Sequence, residues 1–509
     1  MAEYNYQKQI ERWEVFEFSC PGKTEGNPFT DYEITGVFKS KNEEVKVDGF
    51  YDGEGIYRVR FMPSFEEGYH FEINGNFSES SYNGNFLAVP ASGNNHGPVR
   101  VAKTYHFAYE DGTPYFPVGT TCYVWEFQSE SLQKKTLETL RGGPFNKIRF
   151  CILPKHYEYN LREPCTYPYE GKPMDSSGLT NENFQEYLGK TAGNQWDFKR
   201  FNPAHFRHIE KCINSLRELG IEADLIVMHN YDRWGFSLMN AECDDLYWNY
   251  VIARFSAYRN VWWSLANEYD LMTQKKITDW ERYAGILCKK DPYNHLRSIH
   301  NCRPFYDHSR PWITHCSIQR QDIYKCAELV AEYREQYKKP VVLDEISYEG
   351  NVQYGWGNIS GKEMVRRFWE AACRGGYAGH GETFLNPEIV MWWSHGGELH
   401  GESPRRLGFL HRILSETPGH GLMPKKMDWD DIAVTTEESV KDTGYYLFYF
   451  SFMRPSFRDY YFDDENEYRV EVIDTWGMTI EDRGCFKGKF RVELPGREYI
   501  AVRIQRVNQ

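Results

Sequence analysis

The middle of the chain alternates apolar runs of strand length with amphipathic segments of helix length. Eight apolar runs lie at 115–125, 147–154, 222–230, 261–268, 296–301, 312–319, 341–347 and 389–395. Segments with apolar residues at helical spacing lie near 130–141, 204–219, 243–258, 275–290, 321–338 and 361–375. Buried parallel strands read as continuous apolar runs, and helices between such strands cover the sheet. The order therefore predicts an α/β fold built on a (β/α)8 TIM barrel.

A doubly wound parallel sheet is the alternative fold for this pattern. That fold usually has a glycine-rich turn directly after its first strand. The run PVGTTCYVW at 117–125 contains no such turn, so the barrel is favoured.

Both ends of the chain change to short strands in which apolar and polar residues alternate. Runs such as YEITGVFKS and EVKVDGFYDG near the N-terminus are separated by Gly, Asn and Pro, and the last stretch contains EYRVEVIDTW and EYIAVRIQ. This pattern is typical of small antiparallel sandwiches. We predict an N-terminal β-sandwich at 1–97, a catalytic barrel at 98–418 and a C-terminal β-sandwich at 419–509.

Composition and charge narrow the classes of partner. The net charge of −13 argues against nucleic acid, whose phosphates require a basic surface. No apolar run approaches the roughly 20 residues that cross a bilayer, and the N-terminus lacks the order of a secretory signal. The 12 cysteines are scattered and form no C-x-x-C motif, which indicates reduced thiols and a cytoplasmic protein. A homo-oligomer is compatible with the sequence, and no cofactor or membrane contact is expected.

Polar residues stand at the end of nearly every predicted strand. Glu268 ends the fourth apolar run and Glu345 the seventh. The other residues at such ends are Thr121, Trp125, Arg149, His229, Asn230, His300, Asn301, Gln319, Trp392 and His395. In a barrel of parallel strands the chemistry lies at the carboxyl ends of the strands. A single glutamate there is commonly a solvated loop residue or a helix cap, and a single histidine is commonly a core residue, but so many polar ends together indicate a site.

Two glutamates at the ends of two barrel strands match the pair of catalytic carboxyl groups that glycosidases use. Glu268 and Glu345 are 77 residues apart, about three strand–helix units, as strands four and seven require. In retaining enzymes two carboxyl groups about 5–5.5 Å apart act as acid/base and nucleophile, whereas inverting enzymes separate them by roughly 6.5–9.5 Å. Arg149 is the expected partner that keeps Glu345 ionised. Its alternative role is that of a structural partner of Asp344.

The phrases around these residues resemble a known family. Asn267-Glu268 closing the fourth strand and Glu345 closing the seventh are similar to the retaining glycoside hydrolases of clan A. FSAYRNVWWSLANEYD, KPVVLDEISYEG, GGYAGHGETF and MWWSHGG resemble bacterial glycoside hydrolases with an N-terminal β-sandwich, a barrel and a C-terminal β-module, relatives of the apiosidase-like group. The resemblance implies that Glu268 is the general acid/base, that Glu345 is the nucleophile, and that Asn267 binds the hydroxyl next to the anomeric carbon.

Several further residues are candidates for binding sugar hydroxyls or stacking on a sugar ring. The candidates are His229, His300, Gln319, His380, Glu382, Trp392 and His395 for hydrogen bonding, and Trp125 or Trp392 for stacking. Glu382 either grips two hydroxyls of the terminal sugar or caps a loop. Residues 155–202 form a long insertion after the second strand, and such loops commonly build lids or subsite walls. A wall on one side favours a pocket and exo-action on a terminal sugar.

Two other functions stay open at this point. A metal-dependent hydrolase could use His229, His300 and His315, although a closely spaced histidine pair on the first strand, usual in such sites, is absent; we therefore expect no metal ligands. A non-catalytic carbohydrate-binding protein could keep the same scaffold. The β-modules either bind sugar or brace the barrel, and bracing is favoured because neither carries an exposed aromatic row.

Overall fold

Eight parallel strands, labelled β1 to β8 along the chain, form the central sheet of the protein. The computed structural model describes residues 4–78, 81–425, 432–436, 443–463 and 465–507, with the backbone alone at 432–436. The eight strands are Gly119–Thr121, Lys147–Cys151, Glu222–His229, Val261–Asn267, Arg297–Ser298, Cys316–Gln319, Val341–Glu345 and Tyr377–His380. Their spatial order is β5-β4-β3-β2-β1-β8-β7-β6. The sheet is therefore a nearly closed barrel, which confirms the predicted fold class.

Within the described ranges the chain forms eight α-helices, labelled α1 to α8 in chain order. They are Glu130–Gly142, Pro203–Glu218, Ala241–Phe255, Ile277–Lys290, Val330–Tyr337, Gly361–Cys373, Trp392–His395 and Ser403–Ser415. Local chemistry starts three of them. The side chains of Asn202, Asn240 and Ser360 each accept a hydrogen bond from the first turn of α2, α3 and α6. Such caps satisfy amide groups that have no partner inside the helix.

The chain divides into two compact units. The first contains Met1–Val99, Tyr123–Gln133 and Arg149–Pro304. The second contains Arg100–Cys122, Lys134–Ile148 and Phe305–Gln509. The predicted domain boundaries after residues 97 and 418 stay predictions.

The N-terminal module of the first unit consists of two mainly antiparallel sheets around an aromatic core. One sheet contains Asn5–Tyr6, Phe16–Pro21, Ile56–Phe61 and Phe50–Tyr51, and the other contains Gln9–Glu11, Tyr82–Val89, Gly68–Gly75, Ile34–Lys39 and Glu44–Asp48. Phe16, Phe38, Phe71 and Phe86 are buried and pack ring against ring. Alternation of buried and exposed residues along these strands produced the sandwich pattern in the sequence.

A buried ionic cluster joins the N-terminal module to α2 and α3 within the first unit. The Arg60 guanidinium donates to both carboxylate oxygens of Glu210, at 2.7 and 3.0 Å. Arg254 donates to Glu210 at 2.6 Å and is 2.8 Å from Asp52. Burial disfavours ionisation of Glu210, but the charges of Arg254 and Arg60 outweigh it and lower its pKa to about 2. The cluster therefore stays charged at neutral pH.

The insertion after β2 also belongs to the first unit. It contains an antiparallel hairpin, Tyr169–Lys172 with Gln195–Phe201, and a 3-10 turn at Phe184–Tyr187. The Trp196 indole donates to the Trp234 carbonyl oxygen at 3.1 Å, so the hairpin is fastened to the loop after β3.

The second unit carries the C-terminal module. Its larger sheet contains Leu422–Lys425, Ile432–Thr436, Tyr445–Tyr449, Ile500–Arg506, Tyr468–Asp474 and Thr479–Phe486, and Phe457–Tyr461 pairs with Lys489–Glu493. The module packs on α6, where the Trp369 and Tyr449 rings lie 5.4 Å apart. Small sheets of the same unit pair Val99–Ala102, His106–Tyr109 and Pro114–Tyr115, and Glu349–Gly350 with Glu382–Thr383.

The predicted eighth strand at 389–395 is wrong. The eighth barrel strand is Tyr377–His380, and the apolar run MWWSH forms the short helix α7. A short apolar run does not distinguish a buried strand from a buried helix, and the glycines of GGYAGHG hid the true strand. The first predicted strand is also too long, because Trp125 lies in a 3-10 turn, Trp125–Phe127. Helix α8 was not predicted.

Candidate active site

Glu268 directly follows β4 in the first unit. Its backbone lies in the left-handed region, with φ of 51° and ψ of 57°, where the chain leaves the strand and enters the turn Tyr269–Leu271. A residue with a Cβ pays on the order of 1 kcal/mol or more for this conformation, and such strain clusters at functional sites. The side chain is buried, so its carboxyl group depends on protein donors.

Two side chains donate hydrogen bonds to the Glu268 carboxylate. The Tyr231 hydroxyl donates to Oε2, and the Asn267 amide donates to the same oxygen at 3.2 Å. The Tyr123 hydroxyl donates to Asn267 Oδ1 at 3.3 Å, which fixes the orientation of the amide. Asn267 and Glu268 therefore act as one hydrogen-bonded pair.

A buried lysine completes this group. Lys155 Nζ lies 3.3 Å from the centre of the Tyr123 ring and 4.3 Å from the centre of the Tyr231 ring. A desolvated ammonium over aromatic faces gains on the order of 2 kcal/mol. The cation therefore holds together the two tyrosines that contact Asn267 and Glu268.

Sequence reasoning missed Tyr123, Lys155 and Tyr231, although a signal for them existed. Each follows a barrel strand by two to four residues in the sequence: Tyr123 after β1, Lys155 after β2 and Tyr231 after β3. Lys155 and Tyr231 lie one residue beyond the predicted runs 147–154 and 222–230, and Tyr123 lies inside the predicted run 115–125, so none of the three ends a predicted run.

The remaining candidates of the first unit have structural contacts. His229 ends β3, and its Nε2 is 3.1 Å from the Leu153 carbonyl oxygen. Burial lowers the pKa of His229 to about 3, so the ring is neutral and donates this bond. Trp125 packs edge-on against Phe150. The His300 carbonyl oxygen accepts a hydrogen bond from the Tyr269 amide at 2.9 Å, beside Glu268.

Arg149 lies on β2 and is buried. Its Nε is 3.8 Å from Asp224 Oδ2, a partner that the sequence did not suggest. Lys147 contacts Asp344: its Nζ donates to Oδ1 at 2.8 Å. The expected contact between Arg149 and Glu345 stays a prediction.

Glu345 is the last residue of β7 in the second unit. It is buried, and its register partner on β6 is Gln319. The Glu345 carbonyl oxygen accepts a hydrogen bond from the Arg320 amide at 2.9 Å. The preceding Asp344 accepts hydrogen bonds from Lys147 and Ser317. Successive side chains of a strand point to opposite faces, so Asp344 belongs to a structural cluster and Glu345 does not share its direction.

Trp392 and His395 do not end a strand, contrary to the prediction. Both lie on α7, where the Trp392 indole donates to Thr120 Oγ1 at 2.8 Å. His395 Nδ1 accepts a hydrogen bond from the Met391 amide at 3.3 Å.

Glu382 follows β8 rather than preceding the last strand. It is fully buried, and its Oε2 accepts a hydrogen bond from the His400 amide at 2.7 Å. This contact agrees with the prediction that Glu382 caps a loop. Its alternative role, binding two hydroxyls of the terminal sugar, stays a prediction.

The histidines weighed for a metal-dependent hydrolase form no common ligand set among the described residues. The group of metal-ligating side chains found there is Glu349, His380 and Glu382, which includes none of His229, His300 and His315. Over the described ranges, no helix combines the length and apolar character that crossing a bilayer requires.

Three segments of the chain match family models. Residues 102–432 match the model of the apiosidase-like catalytic domain. Residues 9–76 and 429–505 match two domains of unknown function, DUF5060 and DUF5605. No curated protein matches the chain.

Solved structures agree with the family match. The crystal structure of a "putative glycoside hydrolase" from Bacteroides vulgatus ATCC 8482 is 35% identical, with a TM-score of 0.90 over 98% of this chain and 100% of that chain. A second structure, named glycoside hydrolase, is 15% identical with a TM-score of 0.59 over 81% of this chain and 97% of that chain, and supports the fold alone. The chain therefore belongs to the apiosidase-like family.

Proposed function

We propose that this protein is a retaining, exo-acting glycoside hydrolase that removes a terminal sugar with Glu268 as general acid/base and Glu345 as nucleophile. The observation that carries the proposal is their position: Glu268 directly follows β4 and Glu345 ends β7 of an eight-stranded parallel barrel sheet. Catalytic residues of such barrels come from the carboxyl ends of several strands. Membership of the apiosidase-like family supports hydrolysis of a glycoside as the reaction class.

The surroundings of Glu268 support an acid/base role. Tyr231 and Asn267 both donate to Oε2, so the carboxyl group is held in place at the end of β4. In the first step Glu268 protonates the leaving oxygen, and in the second step it accepts a proton from the water that attacks the glycosyl–enzyme bond. The same carboxyl group serves both steps because it stays next to the departing oxygen.

The surroundings of Glu345 support a nucleophilic role. Its neighbour Asp344 belongs to a structural cluster with Lys147 and the Ser317 hydroxyl. The Glu345 side chain points to the opposite face of β7, and its carboxylate is the one proposed to attack the anomeric carbon. Attack forms a covalent ester with the sugar, and hydrolysis of the ester restores the carboxylate. We propose that the two carboxyl groups stand about 5–5.5 Å apart, the separation that a double displacement needs.

Asn267 and the insertion at 155–202 have proposed roles in binding. Asn267 Oδ1 is oriented by Tyr123, and its amide group binds the hydroxyl next to the anomeric carbon, a contact that strengthens in the transition state. The hairpin of the insertion, Tyr169–Lys172 with Gln195–Phe201, supports a subsite wall and hence action on a chain end.

Variants of the two glutamates test the mechanism on aryl glycosides with good and poor leaving groups. We expect Glu345→Gln to lose at least about 10³-fold in kcat/KM on both substrates, because the covalent step is lost. We expect Glu268→Gln to lose roughly 10²–10⁴-fold on the poor leaving group and much less on the good one, because a good leaving group needs no protonation. Glu335→Gln, on the exposed face of α5, is the matched control.

Product stereochemistry decides between the two glycosidase mechanisms. A panel of aryl pentosides and hexosides in both anomers and both ring forms identifies the glycone, and NMR follows the anomer that is released first. Net retention supports the double displacement. Inversion contradicts the nucleophilic role of Glu345, and complete inactivity across the panel with intact fold supports a binding protein instead.

A further inference from the structure

Three buried ligand-type side chains gather beside the end of β8 in the second unit. Glu349, His380 and Glu382 each offer one ligand atom, and these atoms all lie within 4.8 Å of one another. The exposed fractions of the three residues are 2%, 0% and 1%. None of the proposed catalytic contacts uses Glu349 or His380, so this cluster calls for its own explanation.

The backbone forces the two carboxylates together. The short strands Glu349–Gly350 and Glu382–Thr383 pair in parallel, with Glu349 in register with Glu382. Like charges in directly paired positions destabilise a sheet, and buried charges are normally paired or bound to a metal. No lysine or arginine of the described residues forms an ion pair with either carboxylate. Over the described ranges, the basic group paired with them is His380, whose Nε2 is 3.5 Å from Glu382 Oε1.

Two polar atoms of the cluster have no hydrogen-bond partner within the part of the chain that the structure describes. These are His380 Nε2 and Glu382 Oε1, both fully enclosed. Leaving a buried polar atom without a partner costs about 1–3 kcal/mol. The two atoms lie 3.5 Å apart, a separation at which one metal ion about 2.0–2.2 Å from each atom binds both.

Each of the three side chains is held from behind by a second partner. His380 Nδ1 is 3.0 Å from Thr120 Oγ1, and with the proton on Nδ1 the lone pair of Nε2 points into the cluster. Glu382 Oε2 accepts a hydrogen bond from the His400 amide at 2.7 Å. Glu349 accepts from the Glu402 amide at 2.8 Å and from the Ser403 amide at 3.1 Å. Outer hydrogen bonds of this kind orient the ligands of metal sites.

Glycine lets the chain close over the cluster. A Cβ on Gly401 would lie 2.4 Å from Glu349 Oε2 and 2.6 Å from Glu382 Oε1. A Cβ on Gly361 would lie 2.6 Å from Glu349 Oε1. Any other residue at these positions would fill the space next to the ligand atoms.

We propose that Glu349, His380 and Glu382 form a structural site for a divalent transition-metal ion, separate from the catalytic pair. One imidazole nitrogen and two carboxylates suit Zn²⁺ or Mn²⁺, whereas Ca²⁺ takes six to eight oxygen ligands. The ion neutralises the two carboxylates and gives Nε2 and Oε1 a common partner. It ties the loop after β7 to the end of β8 and, through Glu349, to the start of α8.

The test measures metal bound to the full chain after removal of any purification tag. The protein is stripped with a chelator, dialysed and titrated with Zn²⁺, Mn²⁺ or Ca²⁺, and bound metal is counted by elemental analysis. We expect one equivalent of Zn²⁺ or Mn²⁺ and little Ca²⁺. We also expect Tm to rise by roughly 3–6 °C at metal concentrations about 100-fold above Kd.

Single-ligand variants assign the ion to this cluster. Glu382→Gln and His380→Gln should weaken binding by at least about 100-fold, because loss of an outer-shell partner alone costs about 10–100-fold. Glu402→Gln is the matched control, since that side chain is exposed and only its backbone amide contacts the cluster.

Three results would overturn the proposal. The first is a wild-type protein that binds no metal under these conditions, which would leave a His380–Glu382 ion pair as the explanation. The second is metal binding that stays unchanged in Glu382→Gln and in His380→Gln, as it should in the control Glu402→Gln. The third is binding of Ca²⁺ in preference to the transition metals. The wild-type result stands even if a variant fails to fold, and none of these results depends on glycosidase activity.

Discussion

At the scale of single residues, the most informative neighbourhood is that of Glu268. A strained backbone position, two donors on one carboxylate oxygen and a lysine over two tyrosine rings all converge on it. The sequence indicates Glu268 because it ends an apolar run. Tyr231 and Lys155 carry no such mark, because their role depends on loops that fold back over the strand end.

We predict that Tyr231→Phe impairs the acid/base step. The variant removes the hydroxyl donor on Glu268 Oε2 and leaves the ring against Lys155. The loss in kcat/KM should be about 10-fold on a substrate with a poor leaving group and smaller on one with a good leaving group. Tyr187→Phe, which alters a hydroxyl in the insertion, is the control. Equal losses on both substrates would contradict a role through Glu268.

A second residue-scale prediction concerns the pH dependence of stability at Glu222, the first residue of β3. Burial raises its pKa to about 8, although the Trp262 indole donates to its carboxylate at 2.9 Å. Between the ordinary pKa of about 4.5 and this value the folded state holds a proton that the unfolded state releases, so the wild-type protein loses stability as pH rises.

We therefore expect Glu222→Gln to match the wild type near pH 5 and to be more stable by roughly 2–4 kcal/mol near pH 8.5. Gln keeps an acceptor for the indole and has no proton to lose. Urea unfolding at both pH values measures the difference, with the exposed Glu218→Gln as control. A variant that is less stable at high pH would mean that Glu222 is ionised and paired.

At the scale of elements, long apolar runs and strongly amphipathic helices were predictable, and short ones were not. β3, β4 and β7 are buried along their whole length and were predicted close to their observed bounds. β8 was missed because its four residues, YAGH, include one glycine and are flanked by glycines on both sides, and the aromatic run after it forms α7. For runs of about four residues, packing rather than periodicity decides between strand and helix.

The ionic cluster between the N-terminal module, α2 and α3 carries an element-scale prediction. Glu210→Gln leaves Arg60 and Arg254 buried with less negative charge between them, so we expect a loss of about 3–5 kcal/mol at pH 7. Because the pKa of Glu210 falls from about 4.5 unfolded to about 2 folded, its contribution is complete above pH 4.5 and disappears as pH falls toward 2.

Urea unfolding across this pH range checks the prediction. The difference between variant and wild type should therefore shrink below pH 4. The control is Glu17→Gln, a more exposed partner of Arg58 and Arg60, which should cost less than about 1 kcal/mol. Equal costs for Glu210 and Glu17 would contradict the importance of burial.

At the scale of the whole molecule, the β-modules pack on barrel helices through large aromatic side chains. In the second unit Trp369 of α6 contacts Tyr449, and the Arg366 guanidinium lies 4.5 Å from the centre of the Phe452 ring. Such packing supports bracing over sugar binding as the role of the C-terminal module.

We predict that a chain lacking residues 419–509 is insoluble or aggregates, because removal exposes the Trp369 face of α6. Soluble yield and size-exclusion chromatography compare it with the full chain. Tyr449→Ala should reproduce part of the defect, at about 3–5 kcal/mol, whereas the exposed Phe452→Ala should cost far less. A soluble, folded chain ending at 418 would show that the module is dispensable for the barrel.

The sequence by itself determined the barrel, the β-modules and the two glutamates that end the fourth and seventh strands. Each leaves a local pattern: the barrel strands are apolar runs, the strands of the β-modules alternate apolar and polar residues, and each glutamate is a carboxylate where an apolar run stops. Only the tertiary structure decided the partner of Arg149, the support of Glu268 by Tyr231 and Lys155, and the meeting of Glu349, His380 and Glu382. These contacts join residues far apart in the chain, and no local pattern records which distant side chain will fill a buried space.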